Sequence, residues 1–76
     1  MPDLIAILND IRPNENFSGV DDFFARGVLD SVDLTTLVAA LEESYAIFID
    51  VDEIAPENFR NLEAIRALLT RHGVSV

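Results

Sequence analysis

Residues 30–45 read Asp30-Ser31-Val32-Asp33-Leu34-Thr35-Thr36-Leu37-Val38-Ala39-Ala40-Leu41-Glu42-Glu43-Ser44-Tyr45. Leu34, Leu37, Val38, Leu41 and Tyr45 recur at helical spacing, and at about 100° per residue all five lie within about 60° of Leu34. Such a stripe predicts an amphipathic helix buried along one side. Asp30 stands where an N-cap is needed, and Asp33 three residues later completes a capping box. Val32, Thr36, Ala39 and Glu43 fall within about 40° of the opposite direction, on the outward face. An apolar Val32 beside Ser31 on that face is mildly unusual.

Upstream, Leu4, Leu8 and Ile11 make a second helical stripe, with Ile5 and Ile7 beside them. Pro2 suits the start of that helix, and Pro13 forces its end near Ile11. Residues 13–29 form a long connection. It carries Phe17, Val20, Phe23, Phe24, Val28 and Leu29 and is therefore expected to pack on the core. Within it, Asp21–Arg26 suits a turn of helix ended by Gly27. Downstream, Ala46-Ile47-Phe48-Ile49-Asp50-Val51-Asp52-Glu53-Ile54 is β-prone but has no second strand to pair with, so it reads as a packed connector. Pro56–Phe59 suits one helical turn. Asn61 can cap a last helix whose apolar stripe is Leu62, Ile65 and Leu69, with Leu68 beside them, and Arg71, His72 and Gly73 suit its end. The expected fold is all-α: a small four-helix bundle, three main helices plus one short helix, in a single domain over 1–76.

Composition narrows the function. The 76 residues carry 14 acids against five basic residues, all Arg, for a net charge of −9, while 50% are apolar. That apolar share supports a core and argues against disorder. Binding of nucleic acid is not expected, because phosphate contacts need clustered Lys and Arg. With no Cys and one His, disulfides and cysteine or multi-histidine metal sites are excluded. The N-terminus lacks the basic start and cleavage site of a signal peptide, and no apolar run approaches a membrane span. A soluble, cytoplasmic monomer is expected. Residues 28–58 hold eight acids and no base, so nearly all the charge excess lies in the middle of the chain. Such a surface aids solubility, and it also suits docking of basic partners.

No catalytic constellation emerges. Ser31 opens one helix and His72 closes another, and no nucleophile elbow is present. The stretch Asp50–Ala55 lacks the third acid and the Gly of a calcium loop. No enzyme activity and no metal site are expected. Ser31 itself is a hydroxyl at a helix N-terminus. A phosphate ester there would face free backbone N–H groups and the positive end of the helix dipole.

The wider pattern Gly27-Val28-Leu29-Asp30-Ser31-Val32-Asp33-Leu34, followed by Leu37-Val38-Ala39-Ala40-Leu41-Glu42-Glu43-Ser44-Tyr45, resembles the acyl carrier protein family. The resemblance continues through Ile47, Ile49 and Ile54, Pro56-Glu57-Asn58-Phe59, and Leu62 to Leu69. It implies a bundle of acyl-carrier type and a covalent 4′-phosphopantetheine arm on Ser31, taken from coenzyme A by a phosphopantetheinyl transferase. The thiol of that arm would hold an acyl or aminoacyl thioester. Asp30 would match the acid that helps the transferase handle magnesium and substrate. Asp33, Glu42 and Glu43 would match acids met by basic groups of partner enzymes. Val32, Thr36 and Ala39 would match outward positions that fit a partner's apolar groove. Leu34, Leu37, Val38 and Leu41, with Ile54, Phe59 and Ile65, would line the interior. The implied partners are a loading ligase or transferase for the acyl or aminoacyl group, and a downstream synthase or acyltransferase with a basic docking surface. Fatty-acid, polyketide and related biosynthesis all use such carriers.

The chain departs from the family at Val32, where Leu or Met is usual, and at Thr35, Thr36 and Ser44. It also lacks the Gly-Gly-His/Asp-Ser form of carriers embedded in modular peptide synthetases, which favours a freestanding type. The alternative is a small acidic interaction adaptor with a carrier-like fold and no prosthetic group. Partner binding unchanged by Ser31→Ala would be its signature.

Overall fold

The computed structural model describes residues 3–75. Four α-helices follow one another: α1 (Leu4–Ile11), α2 (Ser31–Tyr45), α3 (Pro56–Phe59) and α4 (Leu62–Arg71), with one 3-10 turn at Val51–Glu53 before α3. No strand occurs among the described residues. The all-α bundle of three main helices and one short helix is the fold observed.

Each helix starts where a side chain can satisfy its free N–H groups. Asp3 accepts from the Ala6 N–H at 2.8 Å and caps α1; the Pro2 start lies outside the described residues. Asn61 Oδ1 accepts from Ala64 N–H at 2.7 Å and caps α4. Its Nδ2 also donates to the Asp21 carbonyl at 3.0 Å, so the cap doubles as a tie to the long connection. At the far end of α4, the His72 N–H bonds the Leu68 and Leu69 carbonyls, while its Nε2 lies 2.6 Å from Glu53 Oε2. That contact holds the 3-10 turn against the last helix.

The core is one cluster that every element enters except the 3-10 turn. Leu4, Ile7 and Leu8 of α1 meet Leu34, Leu37, Val38 and Leu41 of α2, and Phe59, Ile65, Leu68 and Leu69 close it from α3 and α4. The long connection contributes Phe17, Phe23, Val28 and Leu29, all buried. Phe17 and Phe23 meet edge to face at 5.5 Å. Phe23 N–H donates to the Arg60 carbonyl at 2.6 Å, and its own carbonyl accepts from Val28 and Leu29 N–H. Asp22 accepts from the Phe24 and Ala25 N–H groups. Asp21–Arg26 is thus a capped turn rather than a helix, and Gly27 ends it at φ +73°, which only Gly adopts without strain.

The connector after α2 departs from the expectation of a packed segment. Ile49 is buried and Ile47 half-buried, but Phe48 and Val51 point outward at 75% and 76% exposure. Ile54, placed inside by the sequence reading, is exposed as well. Over residues 47–50 the side chains alternate, with Ile47 and Ile49 toward the core and Phe48 and Asp50 outward, whereas Val51 opens the 3-10 turn and Ile54 caps it, and that turn buries none of its residues.

Helix α2 ends on Ala46 in the left-handed region, at φ 54° and ψ 46°. An L side chain there costs about 1–2 kcal/mol, and Gly is the usual occupant. Ala46→Gly is expected to raise stability by about 0.5–1 kcal/mol, after the extra unfolded-state freedom of Gly is subtracted. Urea unfolding checks this, and a lower midpoint for the variant would contradict it.

Candidate functional site

The N-terminus of α2 brings together residues from two elements. Ser31 is the first helical residue and is exposed. Its hydroxyl makes no hydrogen bond within the described residues. The capping is done by its neighbours: Asp30 Oδ1 accepts from Asp33 N–H at 2.9 Å, and Asp33 Oδ2 accepts from Asp30 N–H at 3.0 Å. Both halves of the capping box are therefore present, and Ser31 is held in place without being used.

A cation from α1's end joins them. Arg12 donates from Nε to Asp33 Oδ2 at 2.9 Å and from Nη2 to Asp30 Oδ2 at 3.3 Å, and Nη2 also forms an ion pair with Asp33 Oδ2 at 2.7 Å. Residues 28–58 contain no base in sequence, yet the fold supplies one to them from outside that stretch. The Arg12 bond to Asp33 holds that carboxyl below its ordinary pKa, and Asp33 in turn raises Arg12. In the same way, the Arg26 bond lowers Asp21.

The sign of the resulting pH effect follows. Asp33 binds its proton less readily folded than unfolded. It therefore stabilises the fold above the unfolded carboxylate pKa, near pH 4, and that contribution is lost as the pH falls through the lower folded value. Asp33→Asn is expected to cost about 1 kcal/mol at pH 7, the scale of a charge-assisted bond whose partner is partly exposed. The gap between variant and wild type should close in strong acid. Urea midpoints at pH 7 and pH 2 test this, and a gap of equal size at both would refute it.

The remaining residues singled out from sequence divide into outward and engaged groups. Val32 is 72% exposed, and Thr36, Ala39 and Glu43 are exposed on the same side of α2. The hydroxyls of Thr35 and Thr36 fold back onto the carbonyls of Ser31 and Val32, at 3.3 and 3.2 Å. Glu42 is only half-exposed, and its Oε2 accepts from the Ile49 N–H at 2.9 Å. This bond fastens the connector to the end of α2. Glu42 and Asp33 are thus held by the chain itself, while Glu43 is left outward. Sequence reasoning missed Arg12, whose pairing depends on the α1–α2 packing. It also missed the local role of Glu42, for which no sequence signal exists.

A surface groove of about 380 Å³ runs between α1 and α2, lined by Ile7, Asp10, Ile11, Asp33, Thr36, Ala40 and Ser44. Ala40 lies nine residues beyond Ser31, so helix geometry places the two about 180° apart around α2. Ser31 and the groove therefore occupy different sides of the helix. No helix among the described residues is long and apolar enough to cross a membrane. No family model matches the chain, and neither a curated protein nor a solved structure matches it.

Proposed function

We propose that the chain is a carrier protein, with Ser31 as the attachment point of a 4′-phosphopantetheine arm. One observation carries the reading furthest. The exposed Ser31 hydroxyl is free at the first position of the longest helix, and other side chains cap that helix. A hydroxyl that served only as a cap would be turned onto the N–H groups. This one faces solvent beside an outward Val32.

The surroundings suit a phosphodiester. The helix start favours an anion, and Arg12 offsets part of the charge of Asp30 and Asp33. In the attachment reaction Ser31 Oγ forms a bond to the phosphorus of the pantetheine phosphate. The pyrophosphate bond of coenzyme A breaks, adenosine bisphosphate leaves, and the serine proton passes to a base of the transferase. The arm supplies a thiol that this cysteine-free chain lacks, and the thiol holds an acyl or aminoacyl group as a thioester. The protein's own part is to hold Ser31 forward and to offer an acidic, partly apolar surface. Val32, Ala39 and Glu43 present that surface to partner enzymes with basic docking sites, which are the loading enzyme and the downstream synthase or acyltransferase.

Incubation with coenzyme A and a broad-specificity phosphopantetheinyl transferase tests the proposal. Intact-mass spectrometry should show a gain of one phosphopantetheine. An unchanged mass with several competent transferases would overturn it and leave the adaptor reading.

A further inference from the structure

Four large apolar side chains are exposed among the described residues, Val32, Phe48, Val51 and Ile54, and the last three fall within seven positions of one another. Single exposed apolar residues are ordinary, whereas a cluster rimmed by charge marks a surface suited to being covered. Val51 opens the 3-10 turn and Ile54 caps it, and the Ile54 N–H donates to the Val51 carbonyl at 3.1 Å. Side chains three apart in such a turn lie on one face. Phe48 stands three residues further back, so chain length keeps its Cα within about 11 Å of that of Val51.

Polar bonds hold this segment in shape. Glu42 accepts from the Ile49 N–H, and Asp50 Oδ1 accepts from the Asp52 N–H at 3.1 Å. Glu53 clasps the turn from both sides: its carboxylate meets His72, and its carbonyl accepts from Asn58 Nδ2 at 2.9 Å. The apolar side chains are therefore fixed in water rather than drawn inward, and a partner that covered them would have little to reorganise.

Charge identifies what fits. Asp50, Asp52 and Glu57 are exposed beside these residues in the chain, and no ion pair among the described residues reaches them. A second copy of the chain would bring the same acids to the contact and be repelled. The complementary surface is apolar at its centre and rimmed with Lys or Arg. We propose that Phe48, Val51 and Ile54 form a docking surface for a partner protein of that chemistry. It follows the end of α2 remote from Ser31, about 21 Å along the helix axis, and it does not depend on modification of Ser31.

The probe is a synthetic helical peptide with leucines on one face and lysines flanking them, titrated at low salt into the unmodified full chain. Backbone amide shifts should move over residues 47–57. Phe48→Ala is expected to weaken binding about tenfold and Val51→Ser about threefold, while Val32→Ala leaves it unchanged. Asp52→Asn combined with Glu57→Gln should weaken binding severalfold at low salt and much less in half-molar salt. A permuted peptide of the same composition, with the charge kept and the apolar face broken, should bind at least about tenfold more weakly.

Equal binding of the two peptides, or wild-type affinity in both Phe48→Ala and Val51→Ser, overturns the proposal, because charge alone would then account for the contact. Absence of binding, or shifts centred on Ser31 and Val32, overturns it too. Sedimentation of the free chain above its monomer mass, abolished by Phe48→Ala, would assign the patch to a second copy and overturn it likewise. None of these outcomes touches the carrier reading, which the mass gain at Ser31 decides separately.

Discussion

Ser31→Ala is expected to remove the whole mass gain produced by coenzyme A and transferase while leaving the fold intact. Two separate facts support the two halves of this expectation. The reacting atom is the Ser31 hydroxyl, and Ala has none. The fold does not use that hydroxyl, because Asp30 and Asp33 complete the cap between them. Ala is also a good helix former, so the change in stability should stay within about 0.5 kcal/mol. Intact-mass spectrometry and thermal melts read the two halves independently. A mass gain surviving in the variant would move the attachment to another hydroxyl. A large drop in melting temperature would mean that the serine supports the helix start after all.

Phe23→Ala is expected to have the largest effect on stability. The ring is fully buried, meets Phe17 edge to face, and sits where the long connection bonds the Arg60 carbonyl at the end of α3. Truncating a buried Phe costs about 3–5 kcal/mol through lost burial and the cavity left behind. A chain of this length has a total stability of about 4–11 kcal/mol. The variant should therefore melt at least about 12 °C lower, and with the smallest stability and the largest loss in those ranges it should be largely unfolded at 25 °C. Phe48→Ala is the matched control. It deletes the same atoms from a ring that is 75% exposed, so it should change stability by less than about 0.5 kcal/mol. Circular dichroism melts of the pair check both. Similar losses in the two would show that Phe23 is not the keystone of the connection.

The helices were legible because their signals are local. The stripe of α2, its Asp30 cap and the Asn61 cap of α4 all lie within a few residues of what they organise. The site was legible for the same reason, since Ser31, Val32 and the capping acids are neighbours in the chain. Residues 13–29 were legible in content but not in path. Their apolar side chains pointed to burial, but the path is fixed by bonds from Phe23 to Arg60 and from Asn61 to Asp21, across 37 and 40 positions. Charge counted along the chain misled for a related reason. Arg12 lies outside the base-free middle, 18 and 21 residues from the acids it serves. The outward turn of Phe48 and Ile54 was lost because an apolar run shows no direction until one of its members is pinned. Here Ile49 is pinned by Glu42.

The carboxylates of this chain carry its charge, and several of them also serve as backbone acceptors. Asp3, Asp22, Asp30, Asp33, Glu42 and Asp50 each accept a main-chain N–H. These bonds mark helix starts, one turn and the return after α2. Acidity and chain path are therefore not independent traits in this protein. Mutational drift toward neutrality is open at Glu43, which faces outward, and open at these six acceptor positions only through residues that still accept a hydrogen bond, such as Asn or Gln. A lineage of such chains would keep its turns by keeping oxygen acceptors. It would stay acidic partly as a by-product of needing them.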